Sequence, residues 1–396
     1  MSVLASEISG VRATRERTVT NVRPLAAFDP YLASATALLV GLGLVLVYSS
    51  SSVYAARQYG DAEHFLTLQA AWAAVGVLGL WVAWRQPSER LARLAPLLGV
   101  VAVALCAIVL IPGVGKLVGG ARRWLVLGSV GFQPSEICKL VVVLVLALIL
   151  ARRERRPSEA RPSLLAPVLL VQVPVLLILA EPDLGTALVI ELIVATMVFM
   201  AGVRLRTLGL LGLAALPVLY HLVVGTPFRL QRLLSYIDPW AYRSTVGYQI
   251  TESLISIGSG GLLGVGLGGG KHKLFFLPEA HTDFVFSILA EELGFVGVLV
   301  ALAAFAVVMW RGLEIARRAR HDFDSYLAAG LTALVGIPAV FNVAVTTGVL
   351  PTKGLPLPLV SYGGSNLVIT LVAVGLLTRI SADAPRAAGD GRGGER

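Results

Sequence analysis

Apolar residues fall into ten runs, roughly 31–50, 65–84, 94–112, 134–151, 164–180, 184–202, 207–224, 283–310, 326–349 and 366–380, with polar stretches between them. A helix rises 1.5 Å per residue, so runs of this length cross a hydrocarbon core of about 30 Å. The pattern therefore predicts an all-α polytopic membrane protein with ten transmembrane helices. The last run has only 15 residues and must borrow from its flanks or form with the loop before it. The largest connection, 225–282, separates the seventh and eighth runs. Within it Gln249 to Ile257 reads as a short amphipathic helix. Gly258 to Gly270 is too glycine-rich for a span and can fold over a ligand or re-enter the bilayer beside protein. The segment "GVLPTKGLPLPLVSYGGSNL", 348–367, carries three prolines and four glycines, which predicts a structured re-entrant loop.

Composition agrees with this pattern and excludes a soluble class. Of 396 residues, 56% are hydrophobic and only 14% charged, with a mean hydropathy of +0.79. The net charge of +9 could suggest nucleic acid, but its distribution is topological. Arg12, Arg15, Arg17 and Arg23, then Arg85, Arg90 and Arg93, Arg152 to Arg161, Arg204 and Arg206, Arg311 to Arg320, and the C-terminal arginines all fall on one side. They make 22 of the 33 basic residues, with ten on the other side and Lys139 within a run. The positive-inside rule then places both termini in the cytoplasm, as an even number of spans requires. Residues 1–30 and 381–396 are predicted cytoplasmic tails, the second disordered from its Gly- and charge-rich composition. The first apolar run is too long for a signal peptide's core and predicts an uncleaved anchor. Cys106 and Cys138 both lie in spans, so neither a structural disulfide nor a metal-ligand spacing is expected.

The polar residues that interrupt this pattern collect toward the outer side. Glu136 and Lys139 sit at i and i+3 after Pro134, where they share a helix face and can pair. Charges inside a span mark either a functional site or a structural ion pair. Glu181 and Asp183 flank Pro182 in a sharp turn, where they can cap the next helix. Arg122, Arg123 and Trp124 fit either interfacial anchoring or a bidentate grip on phosphate. In "PEAHTDFVFSILAEELG", Asp283 stands at the mouth of the eighth run, where a carboxylate can stay ionised. Glu291 and Glu292 follow about 12–13 Å deeper on a straight helix, turned away from it, and suit a structural role.

Four of these segments, "RRWLVLGSVGFQPSEICK", "EPDLGTAL", "PEAHTDFVFSILAEELG" and "PTKGLPLPLVSYGGSNL", resemble the signature segments of the SEDS family (shape, elongation, division, sporulation), and the likeness extends across all ten spans. Ala280 and the pair Thr352-Lys353 resemble the division members more than the elongation members. Asn366 departs from the family, which usually carries a second serine there, yet Asn keeps a donor and an acceptor.

The resemblance implies a peptidoglycan glycosyltransferase that polymerises lipid II at the outer face of the plasma (inner) membrane, at the division septum. Its implied partners are a class B penicillin-binding protein (an FtsI-like transpeptidase), other division-complex membrane proteins and membrane lipids. The family's essential outer-loop Asp corresponds to Asp283, and its polar pair to Glu136 and Lys139. Asp283 would act as general base, in one inverting step with undecaprenyl pyrophosphate as leaving group. Expected substrate contacts are Arg122, Arg123, Glu136, Lys139, Lys273, His281, Thr282, Lys353, Ser361, Tyr362 and Ser365. Lys116, Arg229, Arg232, Arg243 and Lys271 are the alternative cations for the pyrophosphate. A divalent cation, Mg or Mn, could assist, although no dedicated cage is visible. The competing readings are an elongation polymerase and a lipid II flippase. A flippase would use Glu136, Lys139, Glu191, Glu291 and Glu292 as a path, but little polarity lines the inner half.

Overall fold

The computed structural model describes residues 29–128, 130–154, 164–274 and 277–383. The predicted tails lie almost wholly outside these residues, as do Arg155, Arg156 and Arg161. In chain order the helices are α1 (Pro30–Tyr59), α2 (His64–Trp84), α3 (Ser88–Val109), α4 (Pro134–Glu154), α5 (Leu165–Ala180), α6 (Leu184–Met200), α7 (Leu205–Val224), α8 (Pro227–Ile237), α9 (Tyr248–Ser259), α10 (Val285–Arg318), α11 (Asp322–Thr346) and α12 (Gly364–Asp383). Among the described residues eight are long and apolar enough to cross a membrane, and α5 and α6 are shorter apolar helices. The molecule is a mostly helical polytopic membrane protein.

It is not purely α. The connection between α3 and α4 forms an antiparallel sheet of β1 (Gly115–Val118), β2 (Ala121–Leu127) and β3 (Val130–Phe132), in that order. The apolar runs dominate the hydropathy pattern, whereas this short, Gly-punctuated segment carries no helical period. Gly119 and Gly120 supply the positive φ of the β1–β2 turn. Boundaries also shift. α1 continues to Tyr59, capped by Gly60 in the left-handed conformation. The last helix spans 20 residues by drawing on both flanks.

α4, α11 and α12 form the interior, where two thirds or more of their most apolar stretches are buried. α12 packs along α2, α10 along α11 and α1, and α4 along α3 and α11. Asp29 fixes the start of α1: Oδ1 accepts from the Leu32 amide at 3.0 Å, and Oδ2 accepts from Arg311 Nε of α10 at 3.0 Å. α7 stands apart, with no buried residue. α1 approaches the segment between α11 and α12, predicted as re-entrant, so closely that a Cβ at Gly43 would lie 2.7 Å from the carbonyls of Leu359 and Val360.

α10 is a broken helix. Gly294 adopts φ 63° and ψ −165°, a conformation that residues with a Cβ rarely enter. The Gly-rich segment after α9 fills this break and so is a bonded part of the fold rather than a free linker.

Candidate functional site

One end of the bundle gathers the sheet, the α5–α6 turn, α8, the turn before α10 and the re-entrant segment after α11. Asp283 lies at their junction. Its turn winds around the Glu279 carbonyl, which accepts from the amides of Thr282, Asp283 and Phe284 at 3.2, 3.1 and 3.3 Å. Apolar packing of Leu277, Ala280, Phe284 and Ile288 seats the turn on the first turns of α10.

Two contacts join this turn to the re-entrant segment. Asn342 of α11, 1% exposed, donates through Nδ2 to the Asp283 carbonyl at 2.8 Å and the Leu355 carbonyl at 2.7 Å. The Tyr362 amide donates to the His281 carbonyl at 2.9 Å. Gly354 then lies directly against the Asp283 carboxylate.

Asp283 retains some surface but is surrounded by protein on nearly every side. Burial pushes its carboxyl up to about 7; Glu279 and Asp183 add to the rise, and Arg232 opposes it. Asp283 stands before α10, at the mouth of that run as expected, with Gly354 of the neighbouring loop against its carboxylate. Lys353 is pulled down to about 8, first by burial and then by Arg229, Arg232 and Arg123, against the attraction of Asp183. Arg232 Nη1 donates to the Thr352 carbonyl at 3.4 Å. This end of the bundle therefore sets Asp283, Asp183 and Glu279 among Arg123, Arg229, Arg232 and Lys353. Such a site can take a proton from a hydroxyl while its cations receive an anionic leaving group. Among the described residues no three carboxylate, His or Cys side chains converge to hold a metal ion.

The other sequence-selected residues divide by position. The β1–β2 register shifts opposite Arg122 and Trp124, leaving Arg123 as the extra residue of a bulge. Arg123 clamps the α5–α6 turn, from Nε to the Glu181 carbonyl at 3.1 Å and from Nη2 to the Pro182 carbonyl at 2.6 Å. Asp183 caps α6 at the Thr186 amide, 3.2 Å, and accepts from Gln133 Nε2 at 3.4 Å. The Gln133 amide in turn donates to Ser365 Oγ at 3.1 Å. Beneath this chain lies the buried Glu136–Lys139 pair at 2.9 Å, with Asn366 Nδ2 donating to Glu136 at 3.1 Å. Thr282 Oγ1 donates to Glu279 Oε2 at 2.8 Å.

His281 belongs to an aromatic cluster, with ring centroids 4.8 Å from Phe65, 5.7 Å from Tyr362 and 6.2 Å from Tyr54. Burial holds its imidazole below the usual range, against the pull of Glu279. Ser361 holds its own loop: Oγ accepts from the Leu357 amide at 2.8 Å, and its carbonyl accepts from Gln69 Nε2 at 3.1 Å. Lys273 is directed elsewhere, to Glu292 at 2.6 Å. Arg232 faces Asp283, and Arg229 and Arg232 face Lys353, whereas the Lys273 ammonium bonds Glu292 and Ser49. Asn342 and Gln133 were missed. Their signal was present, as amides inside or beside apolar runs.

A bundle of apolar helices that gathers carboxylates and cations at one loop-covered end defines a polytopic membrane protein with a charged site at that end. The chain belongs to the FtsW, RodA and SpoVE family, described as cell cycle proteins, whose pattern it matches over residues 30–385. A probable peptidoglycan glycosyltransferase FtsW of Alkalilimnicola ehrlichii is 43% identical over 363 residues, covering 91% of this chain and 90% of that one. The protein of the same name from Coxiella burnetii is 41% identical over 358 residues, 90% of this chain and 96% of that one. Among solved structures, a chain of a peptidoglycan synthase complex that coordinates polymerization and crosslinking superposes with a TM-score of 0.74 at 34% identity, covering 90% of this chain and 98% of that one. The rod shape determining protein RodA of Thermus thermophilus gives a TM-score of 0.66 at 32% identity, covering 91% and 99%.

Proposed function

We propose that the Asp283 cleft polymerises lipid II at the outer face of the plasma membrane. The chain is a peptidoglycan glycosyltransferase. The observation that carries the site assignment is the position of Asp283, a carboxylate held near neutral pKa among Arg123, Arg229, Arg232 and Lys353.

In the proposed step the acceptor sugar's 4-hydroxyl attacks the anomeric carbon of the donor, and Asp283 accepts the hydroxyl proton. The bond from that carbon to the pyrophosphate oxygen breaks with inversion. Its electron pair leaves as undecaprenyl pyrophosphate, which the guanidinium and ammonium groups stabilise without a proton. The Glu136–Lys139 pair and Ser365 support the floor of the cleft.

In this reading α5 and α6 also cross the bilayer, giving ten spans with both termini cytoplasmic, supported by the arginine distribution. The loop-rich end then faces outward at the septum, where a class B penicillin-binding protein cross-links the product.

The test is polymerisation of labelled lipid II by the purified chain with its transpeptidase partner. Asp283→Ala should abolish glycan ladders, a loss of about 10²–10⁴-fold in rate, while the protein stays monodisperse and bound to its partner. Undiminished ladders would remove Asp283 as the base.

A further inference from the structure

Where α10 breaks at Gly294, it leaves backbone groups without helical partners, and the Gly-rich segment supplies them. The amides of Val265 and Gly266 donate to the carbonyls of Glu291 and Glu292, both at 3.0 Å. The amides of Phe295 and Val296 donate to the carbonyls of Gly261 and Leu262 at 2.9 and 3.1 Å. The fit leaves no space for a side chain, since a Cβ at Gly264 would lie 2.1 Å from the Glu292 carbonyl.

The two carboxylates at the break hold the exit of the same segment. Glu291 accepts from the Lys271 amide at 2.8 Å and meets His272 Nδ1 at 2.9 Å and Ser256 Oγ at 3.0 Å. Glu292, fully buried, pairs with Lys273 Nζ at 2.6 Å. Ser49 of α1 completes a three-way junction, bonding Glu292 at 2.7 Å and Lys273 at 2.8 Å. The junction reaches the reactive turn through a hydrogen bond from the Leu277 amide to the His272 carbonyl at 2.9 Å. Leu277 is part of the apolar cluster that seats the Asp283 turn.

We infer that the Glu292–Lys273–Ser49 junction is a positioning device for Asp283, and that Lys273 orients the base instead of gripping the pyrophosphate. The inference rests on Asp283 being the base of the polymerase. A buried ammonium whose hydrogen bonds go to a carboxylate and a hydroxyl is committed to the fold. Withdrawing it would strand the Glu292 charge.

The experiment compares Lys273→Met, Glu292→Gln and the double variant in the complex with the transpeptidase partner, measuring kcat and KM for lipid II and checking monodispersity. Lys273→Met should lower kcat about tenfold or more by displacing the base, with KM within about twofold. The double variant, which leaves neither charge unpaired, should recover most of that loss. A raised KM with unchanged kcat in Lys273→Met, or a double variant as slow as the single, would overturn the positioning role. If Lys273→Met does not fold, the double variant decides: near-native KM supports the inference, and a KM raised about tenfold defeats it. Wild-type protein that makes no glycan would instead overturn the polymerase reading itself.

Discussion

Gly354 presses its backbone against the Asp283 carboxylate, so that a Cβ at position 354 would stand 2.6 Å from Oδ2. The atom it would strike is the end of a short side chain, which can rotate away. Gly354→Ala should therefore leave the fold intact and displace the base. We expect kcat for lipid II polymerisation to fall about 10–100-fold, with thermal unfolding in detergent little changed. Wild-type turnover in this variant would show that the carboxylate does not act from its observed position.

The pH profile follows from two groups shifted toward each other. Asp283, raised to about 7, is a base only above that pH. Lys353, lowered to about 8, is a cation only below that pH. Thus kcat/KM should rise through about pH 7 and fall through about pH 8, giving a narrow bell for the free enzyme. An acid limb near the ordinary carboxylate range would contradict the burial of Asp283.

Neighbouring charges should move the acid limb in opposite directions. Arg232 favours the ionised form of Asp283 and Glu279 disfavours it. Arg232→Gln should shift the limb to higher pH, and Glu279→Gln to lower pH. Equal shifts, or none, would place the titrating group elsewhere.

Asn342 satisfies one buried and one part-buried carbonyl with one amide group. Asn342→Ala leaves both without their donor, a loss of about 2–4 kcal/mol at the usual cost of a buried unsatisfied group. Thermal unfolding measures it, and the Asp283 turn and the re-entrant segment should become more accessible to proteolysis together.

Much of the site was legible because charge is conspicuous in an apolar chain. Asp283, Lys353, Glu136 and Lys139 each broke a hydrophobic pattern and drew notice for that reason. What spacing could not reveal was pairing. Lys273 and Arg232 look alike in sequence, each one of five cations in the same long loop. Only their folded neighbours separate them, Glu292 for one and the Asp283 cleft for the other. The sheet escaped notice because its strands are short and join no apolar period.

Hydrophobic runs determined by themselves where helices form, because hydrocarbon leaves a backbone little choice but to bond within its own segment. The asymmetry of arginine was likewise readable without coordinates. Tertiary structure decided what a linear pattern cannot contain: the break in α10 repaired by a distant glycine segment, the burial that raises Asp283, and the choice of cations around it. Each depends on desolvation and on distances of a few ångströms between residues remote in the chain, and those are fixed only when the helices pack.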